Sequence, residues 1–69
     1  MERVRRLIMN KEEIGFFKAV LDSYEEAALL TVIDGRSGAV ELIYPEAAHE
    51  VVASIMADME RDGVVFREA

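Results

Sequence analysis

The stretch Asp34-Gly35-Arg36-Ser37-Gly38 lies between two apolar segments, 27–33 and 39–44, and constrains the fold more than any other feature. Two glycines supply the positive φ that tight hairpin loops require. Segment 27–33 reads Ala-Ala-Leu-Leu-Thr-Val-Ile between Glu25-Glu26 and Asp34-Gly35. Seven residues with this β-branched end favour a buried strand over a helix. The return strand is then 39–44, antiparallel to the first.

Helical patterns flank this hairpin. Ile14, Phe17, Val20, Leu21 and Tyr24 recur at spacings that make one apolar stripe, which predicts a helix over 11–24. Asn10 reads as its N-cap, and Glu13 completes a capping box. Glu12 and Glu13 sit where the helix dipole favours negative charge. Gly15 lowers helix propensity in the first turn, which is explicable if the helix must approach the sheet or a ligand closely. After the hairpin, Pro45 suits a first helical position and Glu46 the first turn. Ala48, Val51, Val52, Ile55 and Met59 form a second stripe, and Gly63 is suited to the C-terminal cap. Segments 4–9 and 64–67 read as the first and last strands.

The element order is therefore βαββαβ within a single domain spanning residues 1–69. Right-handed crossovers and the central hairpin predict a four-stranded antiparallel sheet in order 4-1-3-2, with both helices on one face. This is the ferredoxin-like α+β arrangement.

In such a sheet one face meets the helices and the other usually meets water, so strands should alternate apolar and polar residues. These do so poorly. With Leu7, Val40 and Leu42 under the helices, the open face carries Ile8, Ile43, Val65 and part of strand two. A contiguous apolar patch of this kind marks an interface. Arg6 and Glu41 fall on the same face of adjacent strands and are placed to pair across it.

Size argues in the same direction. A core of 69 residues rarely supplies more than ~3–5 kcal/mol without disulfides, metal or oligomerisation. The chain has no cysteine and a single histidine, His49, so no disulfide or usual zinc shell is available. Yet 52% of the residues are hydrophobic. Homo-oligomerisation, with a dimer as the simplest form, is the expected aid, through the open face or a sheet edge. Arg6, Ile8, Glu41, Ile43 and Val65 are the candidate interface residues.

The chemistry-bearing motifs are sparse. No phosphate loop is present, because Gly35 and Gly38 flank a hairpin and no Walker lysine follows. Ser54 lies five residues from His49, which turns the two apart on a helix, and His49-Glu50 makes no zinc-protease pattern. The acidic pairs Glu12-Glu13, Glu25-Glu26 and Glu60/Asp62 read as helix ends and solvated surface. No enzymatic activity, cofactor or metal is expected.

The net charge of −6 is unevenly spread, since Met1 to Arg6 holds three arginines and one glutamate and the rest carries −8. An acidic body repels phosphate backbones. Base-stacking aromatics are also missing from the strand centres, which hold Leu7, Ile8, Glu41 and Leu42. Nucleic acid is not an expected partner. The start has an apolar run of only three residues, 7–9, unlike a signal peptide, and no segment approaches the ~20 apolar residues of a membrane span. The expected location is the cytoplasm.

From about Arg5 to Gly63 the chain resembles a small bacterial domain family of unknown function, the one numbered 4911. The likeness lies in Ile14-Gly15-Phe16-Phe17-Lys18 leading to Tyr24, in the apolar strand to Asp34, and in Val40-Glu41-Leu42-Ile43 before Pro45. The resemblance implies no activity. More remotely, the layout is similar to ACT-type regulatory domains, in which a glycine at the start of the first helix helps bind an amino acid at a dimer interface. That likeness would put a small-molecule site at Asn10, Ile14 and Gly15. The family's Asp-x-Pro-Gly type of signature is absent, and Glu12-Glu13 would repel a ligand carboxylate. Two readings follow: a self-associating structural or adaptor module, and an ACT-like amino-acid sensor.

Overall fold

A computed structural model describes residues 1–24 and 27–69. The expected Glu25-Glu26 boundary falls outside the described residues. Strand β1 (Glu2–Met9) leads through a 3-10 turn (Lys11–Glu13) into helix α1 (Ile14–Asp22). Strands β2 (Leu29–Asp34) and β3 (Ala39–Pro45) form the hairpin. A second 3-10 turn (Glu46–Ala48) opens helix α2 (His49–Arg61), and β4 (Phe66–Glu68) closes the domain.

The sheet runs in the order β2-β3-β1-β4, the expected 4-1-3-2 arrangement of a ferredoxin-like α+β fold. Every neighbouring pair is antiparallel. Strand β1 and β3 pair along seven positions from Glu2↔Pro45 to Ile8↔Ala39. This register puts Leu7 beside Val40 on one face and Arg6 beside Glu41 on the other. A bulge between Val32 and Asp34 adds Ile33 as an extra residue near the end of β2.

The core lies on the helix-covered face. Leu7, Met9, Leu30, Val40, Leu42 and Tyr44 rise from the sheet to meet Phe17 and Leu21 of α1 and Val52, Ile55, Met56 and Met59 of α2. The rings of Phe17 and Phe66 lie 5.1 Å apart at a tilt of 57°, which ties α1 to the short strand β4. A tilted aromatic pair of this kind adds about 0.5–1.5 kcal/mol beyond its buried area.

Several local expectations change. The Asn10 side chain makes no cap hydrogen bond, so the capping box does not form. Helix α1 ends at Asp22, which takes Tyr24 off the stripe and leaves it exposed. In α2 the buried set is Val52, Ile55, Met56 and Met59. Its spacing of 3, 1 and 3 follows the helix period and turns Val51 outward. Pro45 ends β3 in an extended conformation and precedes the helical turn.

The glycine turn is also more specific than expected. Of the loop's two glycines only Gly38 has positive φ, at 78°. Its backbone presses against β1, where the Met9 N–H donates to the Gly38 carbonyl at 2.9 Å. Gly63, at φ 99°, caps α2 as anticipated. Gly15 has no atom within 4 Å of where a Cβ would sit, so it serves no close approach to the sheet.

Candidate functional site

Beyond the end pair Glu2–Pro45, the register divides the open sheet face into three rows. Leu29, Ile43 and Val4 lie side by side across β2, β3 and β1. Next come Thr31, Glu41 and Arg6. The third row is Asp34, Ala39, Ile8 and Arg67, with the bulged Ile33 beside Asp34. Two rows with apolar centres thus flank one polar row, and the second of them carries a charge at each end.

Clustering, more than exposure, separates this face from the ordinary scatter of surface apolar residues, because Phe16 of α1 is as exposed, at 57%, as Val4 or Val65. Val4 is 56% exposed, Leu29 60%, Ile33 59% and Val65 57%, while Ile8, Ala39 and Ile43 are half-buried. Toward its end β1 alternates, because Leu7 and Met9 point into the core and leave Arg6 and Ile8 outward, in line with Val4. In the polar row Arg6 Nε donates to Glu41 Oε2 at 3.0 Å. The Glu41 side chain is mostly covered, whereas Arg6 remains 72% exposed. A shallow depression on this face is lined by Arg6, Ile33, Ala39 and Glu41, among others.

All five interface candidates lie on or beside this surface: Arg6, Ile8, Glu41 and Ile43 in the rows, and Val65 exposed just before β4. Val4, Leu29 and Ile33 extend it. Val4 was legible as another even-numbered residue of β1, and Leu29 and Ile33 belong to the strand read as apolar on both sides.

The three candidate ligand residues are placed differently. Asn10 Oδ1 accepts a hydrogen bond from the Val65 N–H at 2.7 Å and so anchors the segment entering β4. Ile14 packs against the core, and Gly15 faces open space. The Asn10 amide oxygen thus already serves a structural bond across 55 residues of sequence.

A polar corner sits where β3 meets α2. The buried Tyr44 hydroxyl is hydrogen-bonded to His49 Nδ1 at 3.0 Å, and the two rings stack with centroids 5.9 Å apart. Next to it Arg3 forms an ion pair with Glu46. The hydrogen bond from Arg3 holds the Glu46 carboxyl below its ordinary range, and Glu46 in turn raises Arg3. Arg5 Nη2 pairs with Glu68 at 3.1 Å. Among the described residues no group of three or more His, Cys, Asp or Glu side chains is arranged to hold a metal ion. No helix among them is long and apolar enough to cross a membrane.

Fold and surface together define a ferredoxin-like α+β domain with one helix-covered and one open sheet face. A family model described as a domain of unknown function, DUF4911, matches residues 7–62, and the chain belongs to that family. Comparison with curated proteins and with solved structures finds no match.

Proposed function

We propose that this protein is a non-enzymatic, self-associating domain that serves as a structural or adaptor module. The observation that carries the reading is the pair of apolar rows on the open sheet face. Val4, Leu29, Ile33 and Val65 are each more than half exposed, on a chain with few other means of stabilisation. Covering the exposed half of one such side chain contributes about 1 kcal/mol. The ionisable groups support the same reading, because many of them are engaged in structural pairs such as Arg6–Glu41 and Arg5–Glu68.

Sedimentation velocity over roughly 1–100 μM, the range in which modest protein interfaces populate, tests the proposal. An oligomer is expected, and a monomer throughout would overturn the reading. Ile43→Asp is expected to dissociate the oligomer while keeping the far-UV circular dichroism of the fold, since Ile43 lies on the open face and not in the core. Persistence of the oligomer would move the contact to a sheet edge.

A further inference from the structure

The order of the three rows restricts how a second copy can cover this face. Two identical sheets packed face to face are related by a two-fold axis lying in the plane between them. Aligned sheet packing, with strands within about 30° of one another, leaves two choices for that axis.

An axis across the strands, along the polar row, sets each strand over its own copy. Arg6 would then face Arg6, and Glu41 would face Glu41. An axis along the strands, between β1 and β3, exchanges those two central strands and keeps every row opposite itself. Apolar rows then meet apolar rows, and Arg6 faces Glu41 of the partner subunit at two symmetric positions. The same operation exchanges β4 with β2. It brings Arg67, which shares a row with Ile8, over the bulged end of β2 that carries Asp34. Opposite charges meet at the centre and at both corners.

Resting on the self-association reading, we infer that the open face is covered by a second copy of this chain, stacked about a two-fold axis that runs along the strands between β1 and β3. Charge complementarity selects this axis, because like-charge juxtaposition in an interface is strongly unfavourable. Reach allows it. Stacked sheets lie about 10 Å apart, and Arg6 is the long, largely exposed member of its pair. Area permits it as well. Four strands of eight, six, seven and three residues, rising about 3.3 Å per residue and spaced by about 4.8 Å, give roughly 380 Å2 in plan before side-chain relief. Specific interfaces begin near 600 Å2 of accessible surface per partner, so the whole face with its side-chain relief is needed and a fraction of it would not suffice.

Charge exchange tests the arrangement. Arg6→Glu and Glu41→Arg should each weaken the homodimer by about 100-fold or more, and an equimolar mixture of the two variants should recover a dimer in sedimentation. The double variant R6E/E41R restores the pair within each chain and should dimerise with itself. Mixed with tagged wild-type protein, however, it should not exchange subunits, because each mixed contact would oppose like charges. Preferential exchange with wild type would place the axis across the strands and overturn the inference. A wild-type dimer indifferent to R6E and E41R would also overturn it while leaving self-association standing. A wild-type monomer would instead refute self-association itself.

Discussion

Replacing Gly38 by alanine would set a methyl group 1.9 Å from the Met9 carbonyl oxygen. The two segments would have to separate by about 1.1 Å merely to reach the 3.0 Å below which such contacts essentially do not occur. Three effects add. A left-handed backbone at φ 78° costs a residue with a Cβ roughly 1–2 kcal/mol. The Met9 N–H to Gly38 carbonyl hydrogen bond, now 2.9 Å, would lengthen or break, at about 1 kcal/mol. Residual strain in the Ile8↔Ala39 end of the ladder comes on top. The expected loss is therefore about 3 kcal/mol, a large share of the ~3–10 kcal/mol usual for a chain of this length.

Two other glycines calibrate that figure. Gly63→Ala meets the same conformational penalty at φ 99° but no atom within 4 Å, so about 1–2 kcal/mol is expected. Gly15→Ala meets neither, and its better helix propensity should stabilise by up to ~1 kcal/mol. Urea denaturation followed by circular dichroism reads all three. With a slope near 1 kcal/mol/M for so small a domain, Gly38→Ala should lower the midpoint by roughly 3 M. Protein concentration must be held constant, because association would add to apparent stability. A Gly38→Ala midpoint no lower than that of Gly63→Ala would refute the close-approach argument.

Asn10→Ala should remove the acceptor for the Val65 N–H and destabilise by about 1 kcal/mol; amide exchange should accelerate at Val65, and unchanged protection there would disprove the anchoring role. Glu46 should titrate below the ordinary carboxylate range, because Arg3 donates to it. Its folded value is lowered, so the favourable contribution is present at neutral pH and is lost as pH falls through that folded value. In a chemical-shift titration Arg3→Ala should move the Glu46 midpoint upward; an unmoved midpoint would exclude Arg3 as the cause.

Much of the fold was readable because its signals are local. The 2-residue period of β1, the 3.6-residue stripe of Phe17 and Leu21, and the loop ending in Gly38 each depend on neighbours within a few positions. Handedness and connection rules then left few topologies, and the observed strand order is among them. Element ends were less legible. Asn10 carried every local mark of a cap, but its side chain bonds Val65, a choice that depends on a segment distant in sequence. The Tyr44–His49 pair was equally hidden, since their five-residue spacing means little until β3 turns into α2.

The sequence by itself determined the kinds of element, their order, and which residues must leave water, because backbone preference and hydrophobic period act at short range. Tertiary structure alone decided what stands beside what. Sliding β1 one residue against β3 would break the meeting of Arg6 with Glu41 and of Val4 with Ile43 without changing any single strand's pattern. The three rows of the open face exist only because four separate segments stop in one register, held by the core beneath them and by Gly38 against Met9.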